Sequence, residues 1–126
     1  MKLLFPLLLL GITLPLSAKK ASTPVTVSIQ APHPGYGLQI VRVDQGETQT
    51  HVLAKVLPPE PGRMYPMVIT EISDTVHVST PVQGVDLILL KRTWGWGDEP
   101  TVDSEAAYLK HIGEAEAVPF TRPAQD

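Results

Sequence analysis

The chain has 126 residues, a formal net charge of −3, 13 prolines, nine glycines and no cysteine. Its charges are spread along the sequence, and the only basic pairs are Lys19-Lys20 and Lys91-Arg92. The sequence therefore lacks the basic patch by which proteins bind nucleic acid or anionic lipid. The absence of cysteine excludes disulfides, thiolate metal sites, cysteine nucleophiles and a lipidated N-terminal cysteine.

The first 18 residues have the pattern of a secretory signal peptide. Lys2 supplies a positive n-region, residues 3–16 are apolar, and Leu16-Ser17-Ala18 places a small residue at the cleavage position. The apolar stretch is short and interrupted by prolines, which disfavours the alternative of a retained membrane anchor. We expect cleavage after Ala18, which leaves 108 residues with a net charge of −4 because Lys2 is removed. A cysteine-free chain of this kind is more typical of bacterial export, to the periplasm or the medium, with no membrane anchor.

Short apolar runs separated by proline and glycine predict an all-β domain. The predicted strands are residues 25–29, 36–44, 51–57, 64–70, 75–79 and 85–90. Pro66 confines the fourth strand to a sheet edge. The last strand is almost entirely apolar, which favours a central position with both faces buried.

The second predicted strand contains an irregularity. Val41 and Val43 interrupt the alternation of apolar and polar residues that precedes them. Either both faces are covered there, or a β-bulge near Ile40 resets the register.

One segment near the C-terminus has helical spacing. Asp103 or Ser104 can cap a helix that extends to residue 112, with Glu105 in its first turn and Gly113 as its stop. Its apolar positions are Ala107, Tyr108 and Ile112.

We therefore predict a small antiparallel sandwich or barrel of about six to seven strands with one short C-terminal helix. Residues 19–113 form the single domain. Residues 114–126 contain two prolines and little to bury, so we expect a flexible tail there.

The sequence contains no motif that specifies catalysis, such as a nucleophile elbow, a zinc-protease helix or a phosphate-binding loop. His51 and His77, on strands expected to be adjacent, and the acidic group Asp98, Glu99 and Asp103 offer possible metal ligands. Solvent-facing histidines and a solvated loop with a helix cap explain the same residues. We expect no catalytic residue, no metal ligand and no cofactor, with a metal-dependent enzyme or hydrolase as the alternative.

Two loops carry residues suited to recognition. Trp94 and Trp96 flank Gly95 in a loop, and tryptophan is common at the centres of protein interfaces. Tyr36 lies between two glycines. The alternative is that these rings close the core or pack under the helix. The residues predicted to contact a partner are Pro34, Gly35, Tyr36, Arg92, Trp94 and Trp96.

Residues 32–89 carry a series of short motifs. These are Gly35-Tyr36, Ile40-Val41-x-Val43, Val52, Pro59-x-Pro61-Gly62, Thr70 and Val76-His77-Val78. In this order the segment resembles the C-terminal domain of the PrcB family, bacterial exported proteins associated with a surface protease complex. The resemblance implies a small β domain that is a non-catalytic accessory subunit. The family's Gly-Gly-Tyr is here Pro34-Gly35-Tyr36, and its Thr-Tyr-Pro-Tyr is Thr70-Glu71-Ile72-Ser73.

A second set of residues lies in the two loops already singled out. Pro32-His33-Pro34-Gly35-Tyr36 has a Pro-x-x-Gly-Tyr frame, and Arg92-Thr93-Trp94 contains Arg and Trp in the order of an Arg-Pro-Trp motif. These loops resemble those of chagasin-like inhibitors of papain-type cysteine peptidases, which are exported sandwiches without disulfides. The family's threonine pair and glycine-rich middle loop are missing.

The number of strands between these two loops decides whether they can act together. In an up-and-down arrangement, five strands would place the loops at opposite ends of the domain. Four strands, if residues 64–70 are not a strand, would bring them to one end.

From these observations we expect a non-enzymatic exported module that binds another exported protein. The resemblance to the PrcB family implies a protease or its partner. A chagasin-like inhibitor of papain-type cysteine peptidases is the alternative.

Overall fold

The computed structural model describes residues 22–122. The predicted signal peptide lies outside these residues. Within them the chain forms eight strands and one helix. These are β1 (Thr23–Ala31), β2 (Gly37–Gln45), β3 (Gln49–Leu57), β4 (Thr70–Val78), β5 (Gly84–Leu90), β6 (Thr101–Val102), α1 (Glu105–Ile112), β7 (Glu116–Ala117) and β8 (Phe120–Thr121).

The strands form two sheets, in the orders β1-β4-β8 and β6-β5-β3-β2-β7. The predicted class, a small all-β sandwich with one short helix, is confirmed, and the sheets do not close into a barrel. Pairing is antiparallel in the small sheet and between β2 and both of its neighbours. The expectation of antiparallel pairing is wrong for β5, which runs parallel to β3 and β6. The reason is that β4 crosses to the other sheet, so the chain returns along β5 in the direction of β3.

The main core lies between the two sheets and follows from the alternation of apolar residues in the strands. Its buried members are Val25, Val27, Ile29, Leu38, Ile40, Val43, Val52, Ala54, Val56, Val76, Val78, Leu89 and Val118. A second, smaller cluster of Leu53, Ile88 and Tyr108 lies on the outer face of the five-stranded sheet, under α1. The central strand β3 is therefore buried on both faces. In β5 the prediction of two buried faces holds for Ile88 and Leu89, whereas Val85 at its start is 43% exposed.

The ends of α1 are set by local interactions that the sequence predicted. The Ser104 hydroxyl accepts a hydrogen bond of 3.1 Å from the Ala107 N–H, which satisfies a free donor of the first turn. At the other end Gly113 has a φ of 74°, and its N–H donates to the Leu109 carbonyl at 3.2 Å.

The predicted bulge in β2 is present. The register with β3 shifts between Ile40 and Arg42, and the extra residue leaves backbone groups without a partner in the ladder. The Ile40 N–H donates to the Asp74 carboxylate on β4 at 2.7 Å, and the Arg122 guanidinium donates to the Ile40 carbonyl at 2.8 Å. Because Arg122 also donates to Asp74 at 2.7 Å, the bulge ties the two sheets together.

Two further sequence-based expectations are wrong. Residues 64–69 form an exposed loop, and β4 begins only at Thr70. Residues 116–122 are not a flexible tail, because β7 pairs with β2 and β8 pairs with β4. Val118 between them is buried, and its N–H donates to the Val43 carbonyl at 2.8 Å. Burial of this side chain fixes the segment. Residues 123–126 lie outside the described part of the chain.

A buried carboxylate connects α1 to the sheet beneath it. Asp44, on β2, accepts hydrogen bonds from the Tyr108 hydroxyl at 2.6 Å and from Arg42 Nε at 2.8 Å. Arg42 also donates to Glu105 in the first turn of α1, at 2.7 Å. Burial and the bond to Asp44 raise the pKa of Tyr108, and the bonds to Asp44 and Glu105 raise the pKa of Arg42.

Replacing Tyr108 by phenylalanine tests this connection. Tyr108→Phe keeps the ring but removes a bond to a buried charge, so we expect the free energy of unfolding to fall by about 1.5–3 kcal/mol at neutral pH. Because the native pKa is raised, wild type should also lose stability as the pH rises above about 10, where the unfolded tyrosine ionises first.

Urea unfolding at neutral and alkaline pH measures both effects. Tyr108→Phe should lack this part of the alkaline destabilisation, whereas the control Tyr65→Phe should retain it. The same pH dependence in Tyr108→Phe and wild type would contradict the assignment.

Candidate functional site

Three loops meet at one end of the sandwich, which we call the loop end. They are residues 32–36 between β1 and β2, residues 58–69 between β3 and β4, and residues 91–100 between β5 and β6. Four strands separate the first loop from the third, so the two loops lie together. The ring centroids of Tyr36 and Trp94 are 4.9 Å apart.

Five rings form a continuous series across the loop end, in the order Tyr65, His33, Tyr36, Trp94 and Trp96. We call this series the aromatic array. Tyr65 stacks on His33 at 5.1 Å with an angle of 9° between the rings, and His33 lies 4.7 Å from Tyr36. The array continues through an edge-to-face contact of Tyr36 with Trp94, which lies 5.8 Å from Trp96. All these separations are favourable for aromatic pairs.

The two tryptophans have different surroundings. Trp94 is half-buried and packs against the main core, and its indole N–H is buried without a hydrogen-bond partner among residues 22–122. Trp96 is 41% exposed. The sequence left open whether these rings close the core or face solvent. Trp94 closes the core, and Trp96 faces solvent.

The first loop supports the array through its backbone. The Gly35 N–H donates to His33 Nδ1 at 3.1 Å, which orients the imidazole ring. A Cβ atom at Gly35 would lie 2.7 Å from the Tyr65 ring, so glycine is needed for this close approach. Pro34 is exposed beside it, and Tyr36 is half-buried against the core.

Arg92, predicted as a contact residue, braces the loop of residues 91–100, which we call the Trp loop. Its side chain is only 8% exposed. It donates to the Glu99 carboxylate at 2.9 Å and to the Glu99 carbonyl at 2.8 Å. Gly97, with a φ of 112°, lies so close that a Cβ there would be 2.4 Å from the guanidinium. Glu99 is one of the carboxylates that the sequence offered as possible metal ligands, and its carboxylate is paired with Arg92.

The third component of the loop end is an exposed apolar segment, which we call the apolar loop. It comprises Met64, Met67, Val68 and Ile69. Met64 is 97% exposed and Met67 82%. Tyr65 anchors the segment through its stacking on His33, and the Arg63 guanidinium lies 5.8 Å from the Tyr65 ring centre.

The histidines considered as metal ligands are not brought together. His51 is on β3 and His77 on β4, which belong to different sheets, so the expectation of adjacent strands is wrong. His51 Nδ1 lies 2.8 Å from the Asp86 carboxylate. Within residues 22–122, no three histidine, aspartate or glutamate side chains converge on one point.

Sequence reasoning missed His33 and Tyr65. Tyr65 lay within a segment predicted as a strand, where it would not have reached the first loop. His33 lies between two prolines, which hold it in an extended turn, but its two ring neighbours come from separate parts of the chain.

Gly97→Ala and Gly95→Ala form a matched pair that tests the brace in the Trp loop. Alanine at position 97 must adopt an unfavourable φ and displace Arg92, so we expect a loss of about 1–3 kcal/mol in unfolding free energy. Apart from its two chain neighbours, no residue of 22–122 has a heavy atom within 4 Å of a Cβ at Gly95, so Gly95→Ala should change the free energy of unfolding by no more than about 0.5 kcal/mol. Urea unfolding followed by tryptophan fluorescence provides the measurement, and equal effects of the two substitutions would refute the brace.

The chain matches no protein-family model, no curated protein and no solved structure. The resemblances to the PrcB family and to chagasin-like inhibitors rest on the short motifs quoted for them. Among the described residues, no helix is long and apolar enough to cross a membrane. What distinguishes the molecule is the loop end, where five rings and an exposed apolar loop occur together.

Proposed function

We propose that this protein is a non-enzymatic, exported binding module that holds another exported protein at its loop end. The observation that carries the proposal is the continuity of the aromatic array with the apolar loop through Tyr65. Together they present an apolar surface on one end of an otherwise acidic chain.

The chemistry of this surface suits a protein partner. Contiguous exposed apolar groups on a soluble domain mark interaction sites more often than isolated ones do. Tryptophan, tyrosine and methionine are enriched in interface cores, and methionine adapts its shape to a partner. The rings are held by one another and by Gly35, so little conformational entropy is lost when they are covered.

Export and the identity of the partner rest on sequence alone. The leader pattern of residues 1–18 supports secretion from a bacterium, to the periplasm or the medium. The resemblance to the PrcB family favours a protease, or a subunit of a protease complex, as the protein that is bound.

A second candidate is a chagasin-like inhibitor of papain-type cysteine peptidases. The observation that favours it is the meeting of three loops at one end, which a wedge entering a peptidase cleft requires. The contact between Tyr36 and Trp94 joins the two loops that carry the resemblance.

Removal of the Trp96 side chain tests the binding surface. Trp96 is exposed, whereas Trp94 is half-buried against the core, so Trp96→Ala should leave the free energy of unfolding within about 0.5 kcal/mol of wild type. Capture of the partner from the exported fraction of the producing cells, quantified by mass spectrometry, should fall about tenfold or more.

Leu109→Ala is the matched control. Leu109 is a large apolar side chain with a similar exposure of 39%, and it lies on α1 rather than at the loop end. Capture by this variant should equal that of wild type. Undiminished capture by Trp96→Ala would rule out the proposed surface.

Titration against papain distinguishes the two candidates. A chagasin-like inhibitor should abolish hydrolysis of a peptide substrate at roughly micromolar protein or below, and Trp94 and Tyr36 would then contact the peptidase. Full papain activity under these conditions would remove the inhibitor hypothesis and leave the binding module.

A further inference from the structure

A small pocket of about 340 Å³ opens beside the aromatic array. It is lined by Tyr36, Lys55, Val56, Pro58, Lys91 and Thr93. Lys55 and Lys91 come from the adjoining ends of the parallel strands β3 and β5, where Lys55 is level with Leu90. The pocket shares Tyr36 with the array and adds two lysines.

The two lysines give the pocket a positive charge that is not neutralised within the described part of the chain. Neither forms a salt bridge among residues 22–122, and the lining contains no carboxylate. The neighbouring Arg92 is already paired with Glu99. Two lysines without a salt bridge in the lining of one small pocket are unexpected in a chain with a net charge of −3, and their charge attracts an anion.

The backbone at Lys91 is strained. Its φ is 67°, and within residues 22–122 it is the one non-glycine residue with a positive φ. The Lys91 N–H donates to the Val102 carbonyl at 3.1 Å, so pairing of β5 with the residues after the Trp loop fixes this conformation. Glycine would adopt it at less cost. Such strain is typical of functional positions, and here it occurs at a residue that lines the pocket.

The rest of the lining is mostly apolar. Tyr36 and Pro58 provide hydrophobic surface above the buried Val56, and Thr93 offers a hydroxyl. A ligand that satisfies both the lysines and the apolar lining must carry an anionic group next to an apolar group. The C-terminal residue of a polypeptide meets this requirement, because its carboxylate and its side chain are attached to the same carbon atom. An internal aspartate or glutamate offers the carboxylate without the apolar side chain.

We propose that this pocket binds the C-terminal residue of the partner protein. The carboxylate binds the lysines Lys55 and Lys91, and an apolar side chain contacts Tyr36 and Pro58. The residues before it then extend over the aromatic array. The inference rests on the proposed function and adds to it that the partner is recognised by its C-terminal residue.

The test uses the tetrapeptide acetyl-Ala-Ala-Ala-Leu with a free C-terminal carboxylate, and the same peptide as the C-terminal amide. Binding to the folded protein is followed by chemical-shift changes in ¹H–¹⁵N spectra. The amide should bind at least about tenfold more weakly than the acid, because it lacks the charge. Added salt should weaken the binding of the acid but not that of the amide.

Three variants locate the effect. Lys91→Gly removes the charge and suits the positive φ, so it should fold at least as well as wild type yet bind the acid about tenfold more weakly. Lys55→Gln should weaken binding to a similar extent. Lys110→Gln removes an exposed lysine from the last turn of α1 and should have no effect.

The outcomes separate this inference from the proposed function. The inference would be overturned if the amide, or a peptide whose carboxylate belongs to an internal aspartate, bound as tightly as the acid. Unchanged binding of the acid by Lys91→Gly would also overturn it. If partner capture is lost in Trp96→Ala but retained in Lys91→Gly, the loop end remains the binding surface and the C-terminal pocket is wrong. Loss of acid binding and of partner capture in Lys91→Gly would support both.

Discussion

The burial of β4 against the five-stranded sheet controls the arrangement of the whole domain. Val76 and Val78 are almost completely enclosed, yet β4 pairs with β1 rather than with β3. The chain must therefore cross to the small sheet and cross back before it forms β5. This double crossing makes β5 parallel to β3. Because residues 64–69 are not a strand, only four strands lie between the first loop and the Trp loop. If β4 had joined β3 in one sheet, these crossings would be absent.

Polar contacts then hold this arrangement from both sides. On the inner side, Asp74 and Arg122 satisfy the backbone groups that the bulge at Ile40 releases. On the outer side, the Asp44 carboxylate holds Tyr108 and so keeps α1 on the sheet. Neither contact belongs to the loop end. Both keep the strands in register beneath it, and a rigid base is what lets loops present a defined surface.

The features that the sequence predicted are those set by neighbouring residues. The alternation in β1, the bulge near Ile40, the buried character of β5 and the caps of α1 each depend on a few adjacent side chains. The apolar loop misled the prediction because apolar residues are ordinarily buried, and no local signal distinguishes a strand from an exposed apolar loop. The pairing of residues 116–122, the stacking of Tyr65 on His33 and the bond from Arg92 to Glu99 join parts of the chain whose meeting depends on the crossing of β4. No pattern within either partner reveals them.

The position of the last two strands also bears on how the molecule acquires its structure. β7 and β8 each add only two residues, but they close one sheet after the other and bury Val118 between them. Their partners, Asp44 and Val78, lie far back along the polypeptide, and such distant pairing slows folding. Nearly the whole domain must therefore be synthesised before its hydrophobic core can be completed.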